Sequence, residues 1–225
     1  MEPSNFSLKR HKKISPKWFL SSIVVIIIAA ATFTAVKLFI LSPDDDLGSG
    51  EPGESLTTKD AHQKSLPGLE RKASGSSNAK DINAYAAALR ATGGLDKASQ
   101  EYLRSYQLEP TAPTASSLAT VYRDLGQIDK AIEYYKKSIE LDKTYILAIT
   151  QLAKLYEAEG KANLSVELLE NSISAVGSDE TKQENLYLQL ANLQNRLGKT
   201  TEAKKLYEKV LKLNPNNTAA QSALH

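Results

Sequence analysis

The chain has 225 residues, no cysteine, three histidines and a formal net charge of +2 at pH 7. The lack of cysteine excludes disulfides, thiolate nucleophiles and zinc–thiolate sites. The nearly balanced charge argues against nucleic acid as a partner, because nucleic-acid-binding domains normally carry a strong basic footprint.

The N-terminal segment predicts a membrane anchor. Residues 1–17 form a basic tail, and a run of nineteen residues without a charge begins at Trp18. Apolar residues resume after Lys37, so we expect one transmembrane helix over 18–41, which is long enough to cross the hydrocarbon core. Basic residues before this helix and acidic residues after it predict a cytoplasmic N-terminus in the cell membrane and an extracytoplasmic C-terminal domain. A cleaved signal peptide is the alternative interpretation.

A low-complexity segment follows the predicted anchor. Residues 42–78 are rich in Gly, Pro and Ser and hold few large apolar side chains. Such a composition buries too little apolar surface to offset the entropy lost on ordering. The sequence therefore predicts a flexible linker here.

A repeat of 33 to 38 residues organises the rest of the chain. It is marked by four glycines in equivalent surroundings: Gly93, Gly126, Gly160 and Gly198. An alanine stands seven positions before each, and apolar residues recur at spacings of three, four and seven, which predicts two amphipathic helices joined by a glycine turn. Fifteen positions after the glycines, the predicted apolar face continues through Leu108, Leu141, Ala175 and Leu213.

The repeat also predicts boundaries. Polar residues three positions after each glycine are expected to cap the second helix of each unit: Asp96, Asp129, Asn163 and Thr201. The predicted repeat domain, 79–225, divides into units at about 79–111, 112–145, 146–178 and 179–217, with a short C-terminal cap at 218–225.

This arrangement resembles the tetratricopeptide repeat family. Residues 112–145 match the family pattern best. That pattern consists of a large residue, Leu, a small residue and Tyr, followed by Gly, Ala, an aromatic residue and Pro. The fourth unit matches through Tyr207 and Pro215, but has Gln194 where an aromatic is expected. The resemblance implies an all-α solenoid of about four helix–turn–helix repeats.

The resemblance also implies a binding surface, because first helices line the concave side of such solenoids. The inner positions that we take as the candidate partner-binding site are Asn83, Arg90, Ser117, Thr120, Arg123, Gln151, Lys154, Asn192 and Arg196. Small polar groups suit an extended peptide backbone, and the basic side chains favour acidic residues on it. A wall that is merely soluble is the alternative.

The candidate chemistry is sparse. The three histidines, His11, His62 and His225, lie outside the body of the repeats, so no Ser–His or metal–histidine arrangement is expected there. We expect no enzyme activity, no cofactor and no metal. The leading hypothesis is a membrane-tethered protein–protein interaction module that binds an extended, acidic segment of a partner. A self-assembling envelope scaffold, hence a homo-oligomer, and a non-catalytic accessory subunit of an envelope enzyme complex stay open.

Overall fold

The computed structural model describes residues 54–224, and every regular element within that range is an α-helix. The helices are α1 (Glu54–Ala73), α2 (Ala79–Thr92), α3 (Leu95–Leu108), α4 (Ala112–Asp124), α5 (Ile128–Leu141), α6 (Ile146–Ala158), α7 (Ala162–Ala175), α8 (Glu180–Arg196), α9 (Thr200–Leu213) and α10 (Thr218–Leu224). Each helix packs against the next one along the chain.

The all-α repeat fold is confirmed. Each predicted unit contains one helix pair: α2 and α3, α4 and α5, α6 and α7, and α8 and α9. The predicted anchor at 18–41 lies outside the described residues. Among the helices from Glu54 to Leu224, none is both long and apolar enough to cross a membrane.

The turn within the second unit shows why glycine marks the repeat. Gly126 has φ 72°, a left-handed conformation that residues with a side chain rarely adopt. The amide of Gln127 donates to the carbonyl of Tyr122 at 2.8 Å, which closes the end of α4. A Cβ added at Gly126 would meet no atom within 4 Å, so the requirement for glycine is conformational rather than steric.

The predicted caps of the second helices are wrong. The helices begin earlier, and their N-cap residues, Gly94, Gln127, Lys161 and Lys199, make no side-chain capping bond. Asp96 and Asp129 instead lie inside the first helical turn, where a carboxylate interacts favourably with the helix dipole. The reason is the tight glycine turn. Because this turn is short, the second helix begins one residue before the predicted capping residue.

The linker prediction is also wrong over residues 54–73, which form α1. Leu66, Leu69 and Ala73 pack against the core of the first repeat, and Ala73 is only 1% exposed. Their spacing of three and four residues places them on one face of a helix, although Pro67 lies within it. The overall composition of the segment did not reveal this apolar face. Three apolar positions with helical spacing are enough for a helix to dock on its neighbour.

The core runs continuously from α1 to α6, and smaller clusters follow through α10. The predicted alanines, Ala86, Ala119, Ala153 and Ala191, are all buried. The apolar face ends earlier than predicted, because Leu108 and Leu141 are 49% and 47% exposed at the ends of their helices.

Buried serines join the two helices of the first two repeats. The hydroxyl of Ser105 on α3 donates to the carbonyl of Ala79 at 3.1 Å. Ser138 on α5 makes the equivalent bond to Ala112 at 2.8 Å. Both serines are fully buried, so these bonds fix the second helix against the start of the first where water does not compete.

A candidate partner-binding wall

The nine predicted site residues all lie on first helices. We define the first-helix wall as these residues together with Asp124 and Glu157, on α2, α4, α6 and α8. Asn83 and Arg90 lie on α2, and Arg196 lies at the end of α8. Asn192 also lies on α8. Ser117, Thr120 and Arg123 lie on α4, and Gln151 and Lys154 lie on α6. Consecutive first helices also contact each other directly, α4 with α6 and α6 with α8.

A row of hydrogen bonds crosses the first three helices of the wall. Arg90 on α2 donates through Nε to Asp124 of α4 at 2.8 Å. Arg123 donates to the other oxygen of the same carboxylate at 2.9 Å and, through a second nitrogen, to Gln151 of α6 at 2.7 Å. The row therefore joins three successive repeats and holds both guanidinium groups in fixed orientations.

A second charged pair joins the last two first helices. Arg196 of α8 donates two parallel bonds to Glu157 of α6, at 2.5 and 2.7 Å. This bidentate geometry gives directional strength to the pair. Hydrogen bonding to Glu157 raises the pKa of Arg196 above its ordinary value, so the arginine stays charged.

Tyrosine hydroxyls of the second helices support the wall from behind. Tyr135 of α5 is hydrogen-bonded to Thr120 at 3.0 Å, and Tyr207 of α9 donates to Asn192 at 2.7 Å. Burial raises the pKa of both tyrosines, so their hydroxyls stay protonated. These bonds help to orient two polar side chains of the wall, which links the packed interior to the wall.

Two buried polar atoms, one on α2 and one on α4, have no hydrogen-bond partner within the described structure. Asn83 donates through Nδ2 to Thr114 at 2.9 Å, but its Oδ1 is buried and accepts no hydrogen bond. The hydroxyl oxygen of Ser116, a residue only 1% exposed, is also unpartnered. Buried groups of this kind cost free energy until something satisfies them.

Sequence reasoning missed Asp124, which accepts hydrogen bonds from both Arg90 and Arg123 in the row that joins α2, α4 and α6. A signal was present, because Arg90 and Asp124 are 34 residues apart and the local repeat is 33. Glu157 and Arg196 are 39 residues apart where the local repeat is 38. Opposite charges separated by one repeat plus one residue therefore mark contacts between neighbouring first helices in this chain.

Comparison with known proteins identifies the repeats. The sequence profile described as "Tetratricopeptide repeat" matches residues 112–145 and 185–217, the two segments in which the sequence pattern is strongest. Residues 112–145 and 185–217 are tetratricopeptide repeats. No curated protein sequence matches it significantly.

Solved structures share the fold of these tetratricopeptide repeats. MamA aligns with a TM-score of 0.58 at 17% identity, covering 75% of this chain and 98% of MamA. YrrB, described as a TPR protein with an unusual peptide-binding site, aligns with a TM-score of 0.55 at 14% identity, covering 75% and 86%. The C-terminal part of a TPR repeat-containing protein from Cytophaga hutchinsonii aligns with 0.61 at 15% identity, covering 76% and 67%. At these identities the similarity shows the fold alone.

The first-helix wall is less basic than its predicted residues suggested. Arg90, Arg123 and Arg196 each bond to a carboxylate of the wall itself. Four basic and two acidic side chains stand in the wall, which leaves an excess of two positive charges. The excess still favours an acidic ligand, but internal pairing weakens the attraction.

Catalytic geometry is not apparent in the described repeats. Between residues 54 and 224, no group of three or more His, Cys, Asp or Glu side chains is placed to hold a metal ion. His62 lies on α1, and its Nδ1 is 2.7 Å from the carbonyl of Thr58 in the same helix. Tetratricopeptide repeats are usually non-catalytic scaffolds.

Proposed function

We propose that the first-helix wall binds an extended, acidic segment of a partner protein. Tetratricopeptide proteins typically mediate protein–protein or peptide binding. The observation that carries the proposal is the row formed by Arg90, Asp124, Arg123 and Gln151 across three helices. It offers oriented donors to a ligand lying across the repeats.

The wall is prepared for a ligand because its donors are ordered yet accessible. The side chains of Arg90 and Arg123 are 42% and 23% exposed while they hold Asp124. A ligand carboxylate that approaches these guanidinium groups replaces part of the contact with Asp124 or Gln151, and little side-chain entropy is lost on binding. Exposed rim charges of this kind act through steering and modest pairing, and salt should weaken them.

The test measures binding of short synthetic peptides whose Asp and Glu content varies at constant hydrophobicity. Fluorescence anisotropy with the wild-type chain should rank the acid-rich peptides highest. The wall variant Arg123→Gln with Lys154→Gln should lower their affinity about tenfold. Circular dichroism should show unchanged helicity, because neither side chain belongs to the apolar core.

The matched control is Lys204→Gln with Lys205→Gln. Both lysines are exposed on α9, a second helix, so this variant removes the same charge from another face. It should bind the acidic peptides as the wild type does. Equal loss in both variants would reduce the effect to net charge, and no loss in the wall variant would contradict binding at the wall.

We also propose that residues 18–41 tether the repeats to the outer side of the cell membrane. The support is the charge-free run after Trp18 and the basic tail before it. Protease added to intact spheroplasts should then remove the repeats. Digestion only after lysis would contradict this orientation, and a mature N-terminus beyond residue 29 would rule out the anchor.

A further inference from the structure

A cleft lies on the second-helix face, at the junction of the second and third repeats. Its volume is about 310 Å³, and α5 and α7 form its two sides. Leu152 and Tyr156 of α6 also line it, together with Ile139 of α5 and Leu168 of α7. Leu164 also lines the cleft, and at 37% exposure it is one of the few large apolar side chains among the described residues that are open to solvent.

The equivalent place one repeat earlier is filled by tyrosine rings. Tyr134 of α5 packs edge-on against Tyr106 of α3, with ring centroids 5.7 Å apart. The same ring lies 5.5 Å from that of Tyr122 on α4. Lys137 lies over Tyr134 at 4.2 Å, so the aromatic cluster is closed by a cation.

The repeat register shows what changes between the two junctions. Tyr122 is retained as Tyr156, but Tyr106 becomes Ile139 and Tyr134 becomes Leu168. Both replacements shorten the side chain and remove a ring. The cleft is therefore a space of the kind that an aromatic ring fills one repeat earlier. It lies beside Tyr156, whose equivalent Tyr122 packs against the ring of Tyr134.

The rim of the cleft carries unbalanced charge. Glu140 of α5 and Glu167 of α7 line opposite sides, and neither has a hydrogen-bond or ion-pair partner among the described residues. Lys136 is the single basic residue among the lining side chains. The position equivalent to Lys137 is Asn171, so the cation that closes the earlier cluster is also missing here.

We propose that this cleft is a second docking site, which takes an aromatic side chain of a partner protein with a lysine or arginine next to it. The ring stacks against Tyr156 between Ile139 and Leu168, in the role that Tyr134 has one repeat earlier. The neighbouring cation pairs with Glu140 or Glu167 and replaces the charge that Lys137 provides there. This site is formed by α5, α6 and α7 and uses no residue of the first-helix wall.

The test uses methyl-labelled full-length chain and two probes, N-acetyl-Tyr-Lys-amide and N-acetyl-Tyr-Glu-amide. The lysine probe should shift the methyl resonances of Leu152, Leu164 and Leu168 in a saturable manner. It should bind at least about threefold more tightly than the glutamate probe, as expected for an exposed ion pair at the rim. Methyl groups that do not move, or an equal response to both probes, would overturn the proposal.

The decisive variant is Leu168→Tyr, which restores the ring of the earlier junction from within the chain. It should abolish the shifts of Leu152 and Leu164 while the protein stays as stable as the wild type, because the ring enters existing space. Glu140→Gln with Glu167→Gln should keep the binding of the tyrosine ring but remove the preference for the lysine probe. A preference that survives this double variant would overturn the role of the rim charges.

A second copy of the chain is a competing occupant. Light scattering over a range of concentrations distinguishes it, because self-association through the cleft would raise the mass of the wild type but not of Leu168→Tyr. That result would overturn the proposal of a partner protein. A constant monomer mass together with binding of the lysine probe supports it.

Discussion

The Tyr85 hydroxyl of α2 donates a hydrogen bond of 2.8 Å to Glu70 of α1, and Lys97 of α3 reaches the same carboxylate oxygen at 2.6 Å. Hydrogen bonds from Lys97 and Tyr85 lower the pKa of Glu70 below its ordinary value of 4.5. Arg104 of α3 adds bonds to the backbone carbonyls of Ala73 and Ser76. These contacts make α1 part of the repeat domain.

The first prediction concerns the boundary of the folded domain. A chain that starts at residue 79 should be less stable than one that starts at residue 54, by about 2 to 4 kcal/mol, because it loses the packing of Leu66, Leu69 and Ala73. Urea unfolding followed by circular dichroism measures the difference. Identical midpoints would show that α1 contributes nothing to the stability of the repeats.

The same contacts predict a dependence on acid. The pKa of Glu70 is lowered in the folded state, so its contribution is present above pH 4.5 and is lost as the pH falls through the folded value. Glu70→Gln should remove this acid-sensitive part of the unfolding free energy in the longer chain. It cannot act in the chain that starts at residue 79, which therefore serves as the control.

The second prediction tests the buried serines. Ser138→Ala should cost about 1 kcal/mol of unfolding free energy, because it removes a buried bond between α5 and the start of α4. Ser172 occupies the equivalent position on α7, but its hydroxyl bonds to Leu168 in its own helix at 2.7 Å. Ser172→Ala should therefore have a much smaller effect on thermal or urea unfolding. Equal costs for the two variants would contradict the role of the bond between helices.

The third prediction concerns Gln194, the residue at which the fourth repeat departs from the family pattern. Its side chain is 7% exposed, and its Oε1 is buried without a hydrogen-bond partner in the described structure. Gln194→Met keeps the shape and removes the unsatisfied oxygen, so it should stabilise the domain by about 1 to 2 kcal/mol. A destabilised variant would indicate that a ligand or water satisfies this oxygen.

The fourth prediction concerns alkaline pH. Burial raises the pKa of Tyr135 above its ordinary value of 10.0. The unfolded chain therefore loses this proton first, and the contribution of the tyrosine, complete below pH 10.0, falls as the pH rises towards the folded value. Urea midpoints measured across this range should fall less steeply in Tyr135→Phe than in the wild type. An equally steep fall in Tyr135→Phe and in the wild type would contradict this role of Tyr135.

The sequence by itself determined the repeated part of this protein. Glycines such as Gly126, the buried alanines and the period of 33 to 38 residues fixed the helix pairs and their register. These features are local, because a left-handed turn and an amphipathic face are encoded within one unit of the repeat. For the same reason the sequence correctly assigned the nine candidate site residues to first helices.

Only the tertiary structure decided which side chains are already satisfied. Sequence placed Arg90 and Arg123 on one wall, but the bonds from Arg90 to Asp124 and from Arg123 to Gln151 depend on the distance between neighbouring first helices. The docking of α1 and the cleft beside Tyr156 depend on how side-chain volumes fill the space between neighbouring helices. Packing is a property of pairs of surfaces, and the pattern within a single repeat does not contain it.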